Sequence, residues 1–341
     1  MVWCSLAVDR PINNYDASSF SIIMKSGSVR WIRNRLYYEL KPIIPRSLQI
    51  IVRSTVARRI RSSYDHVWPI DEQAGDKPKG WSGWPEEHRF AFVLLHDVES
   101  DGGQNKCREL MSLDGKMGFR SLFSFVPEAY EVSAALRQDL MREGFEIGVH
   151  GLTHDGKLFD SAESFAKQAD RINHYLKEWG SVGFVSPSMH KKLEWMHRLS
   201  IEYGTSTFDT DPFEPDPDGM QTIFPFIVNG GSGSHQYVEL PYTLPQDFTL
   251  FVILKEKTID VWKKKLDWIA SKGGMAVLIA HPDYMHFGDG RCGVDQYPVE
   301  LYRQFLEYVQ TKYRGRYWNP LPMEIARFWK TVMAGEEAGL G

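Results

Sequence analysis

The sequence predicts an α/β protein in which helices cover a parallel sheet, and two patterns support this. Short apolar runs alternate with segments of helical periodicity from residue 90 onward. A continuous apolar run is typical of a strand buried on both faces, and strand–helix alternation is typical of parallel sheets. Of the 341 residues, 43% are apolar and 25% charged, which is ordinary globular usage and excludes a disordered or fibrous chain.

The strands and helices can be placed in order along the chain. The first three strands are the apolar runs FAFVLL, SLFSFV and FEIGV, and the helix before the third ends at Gly144. The longest helix begins after Ser161, whose side chain suits an N-cap. The predicted strands are residues 90–95, 121–126, 145–149, 182–185, 205–208, 238–242, 249–254 and 275–280. The predicted helices are residues 107–117, 132–142, 161–179, 193–203, 258–271 and 298–313.

The residues that precede the sheet differ from it in charge. Residues 25–64 carry ten Lys and Arg and one Glu, a net charge of +9; because the whole chain has −4, the remainder sums to −13. Apolar residues recur there at helical spacing, and Pro42 and Pro45 divide the segment into two short helices. We expect four regions: 1–23, an untranslated stretch or disordered tail before a natural start at Met24; 24–70, a basic helical arm; 71–87, a linker; and 88–335, the main domain.

Two interpretations of the basic arm stay open. Either it packs on the acidic body, or residues 25–64 bind peripherally to the anionic headgroups of a membrane. Nucleic acid is disfavoured because no groove-reading motif accompanies the charge. The sequence has no recognisable signal peptide, no run of 18 apolar residues and only three scattered cysteines. We therefore expect a cytoplasmic protein, at most peripheral at the inner face of the membrane.

Histidines and acids follow three of the predicted strands, at the point where each strand ends. The first strand leads into His96-Asp97-Val98-Glu99, the third into His150 with His154 four residues on, and a late strand into His281. Because the carboxyl ends of parallel strands meet at one edge, we expect these side chains to converge. Two histidines and a carboxylate are a standard ligand set for a divalent metal that keeps positions open for water and substrate. We therefore expect a Zn²⁺ site.

At these residues the chain resembles the NodB-type polysaccharide deacetylases, the family-four carbohydrate esterases, as a divergent branch. Residues 150–154 match their H-[ST]-x-x-H motif except for the small hydroxyl residue, 278–281 match their late L-x-H motif loosely, and 95–99 occupy the slot of their T-F-D-D-G motif. The resemblance covers roughly residues 90–313 and implies a distorted (β/α) barrel of about seven parallel strands. It also implies a hydrolase of carbon–nitrogen bonds other than peptide bonds.

The resemblance implies a role for each site residue. In the favoured register Asp97 is the general base and His281, protonated, is the acid that serves the leaving amine. The metal ligands are then Glu99, His150 and His154. A shift of the first motif by one residue would instead make His96 the base and Asp97 the ligand.

Two further positions depart from the family pattern. Val185 occupies the slot of an Arg that helps to position the base in the family, and an apolar side chain cannot pair with a carboxylate. Asp209 and Asp211 match the acidic fourth motif loosely. They are candidates to support His281, or they are turn residues before Pro212.

The expected activity is metal-dependent removal of an N-acyl group, acetyl in the first instance, from an amino sugar or glycan precursor. Two alternatives stay open: a hydrolase of a small non-glycan C–N amide bond, and a catalytically weak barrel that binds glycans. An open groove lined by Trp81, Trp84 or Trp195 would favour a polymeric carbohydrate as the substrate.

Overall fold

The computed structural model describes residues 44–214, 219–230 and 235–339, with side chains described as far as 333 in the last stretch. The chain divides into Met1–Ile44 and Pro45–Gly341, and the second unit is the one described below. The predicted 1–23 tail and the first of the two predicted arm helices lie outside the described residues. The second arm helix is present as α1, Arg46–Tyr64.

A mostly parallel, curled sheet forms the centre of the protein, as predicted. Its strands follow the order β11-β1-β2-β3-β4-β5-β7-β6, with β8 also paired to β1, and all pairs are parallel except β6 with β7. This main sheet thus has nine strands in the described chain, against about seven expected. The strands are β1 Phe90–Val98, β2 Ser121–Phe125, β3 Glu146–Val149, β4 Gly183–Phe184, β5 Tyr203–Gly204, β6 Phe226–Val228, β7 Tyr237–Glu239, β8 Met275–Ile279 and β11 Tyr317–Trp318; β9 Met285–His286 and β10 Tyr297–Pro298 form a separate pair.

Helices surround this sheet and make it a distorted α/β barrel. Ser161 caps the longest predicted helix, because its hydroxyl accepts a hydrogen bond from the backbone N–H of Ser164 at 3.1 Å. After α1, the helices are α2 Asp101–Gln104, α3 Cys107–Lys116, α4 Ala134–Arg142, α5 Ala162–Trp179, α6 Leu193–Met196, α7 Asp260–Lys272, α8 Val299–Tyr313 and α9 Pro322–Gly339. None of the described helices is both long and apolar enough to cross a membrane.

Three predicted elements differ in the structure. The helix expected over 193–203 ends at Met196, and the strand expected over 205–208 lies earlier, at β5. The apolar run expected as a strand over 249–254 is instead a π-helix, Phe248–Ile253, in which every residue is buried. A short, fully buried apolar run has no polar face to reveal its period, so a strand and a helical turn look alike in sequence.

Side chains alternate strictly along β1, and this alternation decides which of them face the barrel interior. Phe92 points outward, where its ring contacts Phe119 and, at 6.1 Å between centroids, Phe305 of α8. His96 has the same parity and also points outward, with its ring 5.9 Å from that of Tyr302 on α8. Since successive residues of a strand face opposite sides, Asp97 faces the interior.

The predicted linker, residues 71–87, folds onto the barrel. Trp84 is buried and donates from Nε1 to the carbonyl of Gly273 at 2.9 Å. Trp81 packs against Trp84 and against Trp329 of α9, with centroids 4.6 and 4.9 Å apart. These contacts lie beside the start of β1, at the opposite end of the strands from the predicted site.

A buried acid on β3 should make the stability of the fold depend on pH. Burial raises the pKa of Glu146 to about 7, although its carboxyl is bonded to the Tyr203 hydroxyl at 2.7 Å and to the backbone N–H of Met323 at 3.1 Å. An unfolded Glu titrates near 4.3, so the stability that the neutral acid contributes is complete below that pH and is lost as pH rises through about 7.

We expect Glu146→Gln to reduce this dependence, since an amide keeps one acceptor and one donor and carries no charge. The free energy of unfolding of the parent, measured by urea denaturation, should fall by on the order of 2 kcal/mol more than that of the variant between about pH 5 and pH 8. Parallel stability curves for the two proteins would contradict a buried neutral acid at this position.

Candidate active site

Three potential metal ligands converge at the carboxyl ends of the strands. The ligand atoms of Glu99, His150 and His154 all lie within 4.8 Å of one another. Nε2 of His154 is 3.1 Å from Oε1 of Glu99, and the two histidine rings are 5.3 Å apart. Chain segments that follow β1 and β3 supply these side chains, so residues far apart in sequence meet at one edge of the sheet.

The turn after β3 explains why the second motif lacks its hydroxyl residue. Gly151 has φ of +67°, and a Cβ built there would lie 2.4 Å from Cγ of Pro187. Both the left-handed backbone and the neighbouring proline therefore require glycine. This turn directs the chain from His150 to His154 without a helix between them.

The hydrogen bonds of His150 prepare it to bind a metal. Its Nδ1 lies 3.2 Å from the carbonyl oxygen of Val185, so Nδ1 carries the proton and Nε2 presents a lone pair. That Nε2 is buried and, among the residues that the structure describes, has no hydrogen-bond partner. Burial also lowers the pKa of His150, which keeps the ring neutral as a ligand must be. Two imidazole nitrogens and a carboxylate oxygen in this arrangement fit a divalent cation.

The carboxylate of Glu99 is held ionised by its neighbours. Burial opposes its charge, but His154, His281 and the Tyr284 hydroxyl together hold the pKa of Glu99 well below its ordinary value. The hydroxyl of Tyr284 donates to Oε2 of Glu99 at 2.5 Å. An anionic ligand is thus present before any cation binds.

The loop of residues 281–285 fixes the backbone of Glu99 as well. The backbone N–H of Glu99 donates to Oδ2 of Asp283 at 3.0 Å. The Asp283 carboxylate fits against Gly103, where a Cβ would lie 2.1 Å from Oδ2. Lys106 closes the loop from the other side by donating to the carbonyls of Asp283 and Met285 at 2.8 and 2.9 Å.

Asp97 lies beneath this cluster on the interior face of β1. Its side chain is buried, and the hydroxyl of Ser124 on β2 donates to Oδ1 at 2.5 Å. The negative charge of Asp97 raises the pKa of both His150 and His281, so it is close to each of them. One carboxylate oxygen, Oδ2, is left to accept a proton from a molecule in the site.

The structure argues against the shifted register of the first motif, in which His96 is the base and Asp97 the ligand. His96 lies on the outer face of β1 and is fully buried. Its Nδ1 is 3.0 Å from the carbonyl of Ala280, and its Nε2 is 2.8 Å from Oδ2 of Asp114 on α3. A one-residue shift along a strand moves a side chain to the opposite face, so His96 cannot reach the cluster.

His281 forms a buried pair with Asp247. Nδ1 of His281 donates to Oδ1 of Asp247 at 2.7 Å, and the backbone N–H of His281 donates to Oδ2 at 2.8 Å. The hydroxyl of Tyr297 donates to the same Oδ2 at 2.9 Å. Burial disfavours the imidazolium, but Asp247, then Glu99 and Asp97, raise the pKa of His281 to about 10. The ring is therefore a charged acid whose free proton is on Nε2.

Asp209 and Asp211, the predicted partners of His281, have other partners, and this expectation is corrected. Lys265 on α7 donates to Oδ2 of Asp209 at 2.5 Å. The Tyr242 hydroxyl lies 2.9 Å from Oδ2 of Asp211. Burial and the adjacent carboxyl of Glu214 raise the pKa of Asp211 to about 8. Both acids therefore belong to buried structural pairs.

Sequence reasoning missed Asp247 because the run after it was interpreted as a strand. Asp247 is the residue immediately before the π-helix, and its Oδ1 also accepts the backbone N–H of Phe248 at 2.7 Å. An Asp before an apolar run is a helix N-terminal signal, and it could have indicated a helical turn here.

Val185 is fully buried and contributes a backbone atom to the site. Its carbonyl orients His150, while its own N–H donates to the carbonyl of Val149 at 2.9 Å. No charged side chain stands at the position of the family's Arg, since Val185 is there. Among the described residues, Ser124 provides the one side-chain hydrogen bond to Asp97.

Comparisons with known proteins agree with this fold. Neither a family model nor a curated protein matches the sequence. A chain from Mycobacterium smegmatis assigned as a polysaccharide deacetylase superposes with a TM-score of 0.59 at 18% identity, over 76% of this chain and 96% of that one. PuuE allantoinase, and a chain from Pseudomonas aeruginosa PAO1 assigned as a polysaccharide deacetylase, each superpose with a TM-score of 0.57 at 15% identity, over 77% of this chain and 98% of theirs. The chain thus shares the fold of these solved structures, a distorted α/β barrel, as expected from the sequence.

Proposed function

We propose that the protein is a metal-dependent hydrolase that removes an N-acyl group, acetyl in the first instance, from an amino sugar or glycan precursor. The observation that carries the proposal is the convergence of Glu99, His150 and His154 between a buried carboxylate, Asp97, and a buried acid, His281. Amide hydrolysis needs a group that takes a proton from water and a group that gives one to the amine. This site has one of each, on β1 and just after its neighbouring strand β8.

Each residue then has a defined task. Glu99, His150 and His154 would hold the cation, with Zn²⁺ proposed from the nitrogen and oxygen donors. Such a cation supplies Lewis-acid polarisation of the amide carbonyl and lowers the pKa of the attacking water. Asp97 accepts the water proton on Oδ2, since Ser124 occupies Oδ1. His281 gives its Nε2 proton to the leaving nitrogen, while Asp247 holds the ring by Nδ1.

The ligand assignment predicts loss of metal on removal of either histidine. His150→Ala and His154→Ala, purified after expression in zinc medium, should each retain under about one tenth of the parent's metal, because each removes one of three protein ligands. Elemental analysis provides the measurement, and near-parental circular dichroism confirms folding. His174→Ala, which removes an exposed histidine of α5, is the matched control. Parental metal content in both ligand variants would remove the basis of the proposal.

Activity is tested with the zinc-loaded protein on N-acetylglucosamine oligomers and on single N-acetylated amino sugars, by detecting free amine. Release of amine that needs both metal and Asp97 supports the proposal. Full metal occupancy with no turnover on any N-acyl sugar would instead favour a weak glycan-binding barrel.

A small non-glycan amide is the second candidate substrate, and one observation favours it. Two of the three tryptophans proposed for an open groove lie at the other end of the strands, since Trp84 is buried beside the start of β1 and Trp81 packs on it. The third, Trp195, packs against Phe159 and Phe165. Turnover of allantoin or of a formyl amide, together with no turnover of any N-acyl sugar, would support this candidate over the glycan substrate.

A further inference from the structure

Helix α1 packs one of its faces against loops beside the candidate active site. Ile50 and Ala57 are buried on this face. The guanidinium groups of Arg46 and Arg53 lie 5.5 and 4.9 Å from the centre of the Phe248 ring. Phe248 in turn stacks on Tyr284, the residue that bonds Glu99, with centroids 4.4 Å apart. The helix is thus seated next to the mouth of the site.

The opposite face of α1 is apolar and exposed to solvent. Its large apolar side chains have relative exposures of 49–60%; they are Leu48, Ile51, Val52 and Val56. In the part of the chain that the structure describes, the other large apolar residues with comparable exposure are Met141 on α4 and Val294. Four such side chains within nine residues make a continuous patch, which is unusual for a surface that meets water alone.

Positive charge surrounds this patch. Arg58 and Arg59 are exposed on the same side of α1, and Lys255 and Lys257 are exposed on the segment after the π-helix. The ion pair between Arg61 and Glu256 joins that segment to the helix. Since the chain outside residues 25–64 sums to −13, an anionic surface would attract this side of the protein and repel the rest.

We propose that the outer face of α1 (Leu48, Ile51, Val52, Val56, Arg58 and Arg59), together with Lys255 and Lys257, docks on an anionic lipid bilayer. The helix lies in the plane of the interface, with its aliphatic side chains below the headgroups and the cations against lipid phosphates and carboxylates. Docking in this way holds the mouth of the active site close to the membrane surface. The proposal does not depend on which bond the site hydrolyses.

Charge and apolar surface together favour a bilayer over other occupants. A nucleic acid would match the cations but would leave Ile51 and Val52 without apolar contacts. A second copy of the chain would cover the apolar patch, but a symmetric pairing uses the same patch on both copies and so places one basic rim against the other. A bilayer satisfies both features at once.

The test is sedimentation of the full chain with vesicles. We expect the protein to pellet with phosphatidylcholine vesicles that contain about 30% phosphatidylserine, and pelleting to fall steeply as salt rises, because screening shortens the reach of the surface charge to about 8 Å at physiological ionic strength. Ile51→Gln with Val52→Gln should lower the partition coefficient at least about tenfold. Arg58→Gln with Arg59→Gln should lower it about twentyfold at low salt.

Matched controls lie elsewhere on the surface. Met141→Gln and Arg142→Gln each remove an exposed apolar or cationic side chain from α4 and should leave partitioning unchanged. Equal pelleting with pure phosphatidylcholine, no pelleting with either vesicle, or the same binding by the Ile51→Gln/Val52→Gln and Met141→Gln proteins would each overturn the proposal. The proposal would also be overturned if neither protein binds vesicles and analytical ultracentrifugation shows that the parent forms a dimer that the Ile51→Gln/Val52→Gln protein does not form.

Discussion

Asp97→Asn should abolish turnover while leaving the metal in place. Asparagine has nearly the same shape and can still accept the Ser124 hydroxyl bond, so the barrel keeps its packing. It cannot accept a proton from water, and loss of a general base typically costs about 10²–10⁴-fold in rate. We therefore expect kcat/KM to fall by about that factor on whichever N-acyl substrate the parent hydrolyses, with parental zinc content by elemental analysis.

Glu99→Gln is the matched comparison, since it makes the same chemical change two residues further along the chain, just after β1. It removes an anionic ligand, so we expect its metal content to fall. If metal is instead lost in Asp97→Asn and retained in Glu99→Gln, Asp97 is a metal ligand and another group is the general base.

Asp247→Asn should move the alkaline limb of the pH–rate profile to lower pH. Asp247 is the largest influence that raises the pKa of His281, to about 10, against burial, which lowers it. Activity requires protonated His281, so it persists up to that pKa and declines above it. Without the Asp247 charge the pKa of His281 falls, and the decline begins nearer neutrality. We also expect kcat to fall by about 10²–10⁴-fold, because the ring loses the acceptor that fixes its tautomer.

Tyr297→Phe is the control for this effect. It removes one hydrogen bond to Oδ2 of Asp247 but keeps the carboxylate and its bond to Nδ1. The alkaline limb should stay within a few tenths of a pH unit of the parent's. If Asp247→Asn leaves the limb where it was in a protein that is folded and loaded with zinc, His281 is not the acid.

The sequence contains enough information for the fold and for most of the ligand cluster. Buried strands appear as continuous apolar runs, and the residues that follow them meet at one edge of a parallel sheet, so Glu99, His150 and His154 could be grouped before any geometry was known. The alternation of side chains along a strand could have excluded His96 from the site, because Asp97 and Glu99 point to one side and His96 to the other.

The partners of the site were harder to predict. Asp247, just before the π-helix, contacts His281, and Tyr284, in a turn, contacts Glu99. Neither contact follows from a periodic spacing in the sequence. Asp209 and Asp211 are of the right residue type to support His281, but their hydrogen-bond partners are Lys265 and Tyr242. The pairing of an acid with a base depends on how close the loops bring the two side chains in space. A single sequence has no local pattern that indicates this distance.

The loop of residues 281–285 positions both His281 and Glu99. His281 begins it, Asp283 fixes the backbone of Glu99, and Tyr284 fixes the Glu99 carboxylate, all within four consecutive positions. An insertion or deletion of one residue there would displace His281 and Glu99 together. We therefore expect changes in substrate range to arise in other loops around the mouth, because these contacts restrict the length of this loop and, at Asp283 against Gly103, its volume.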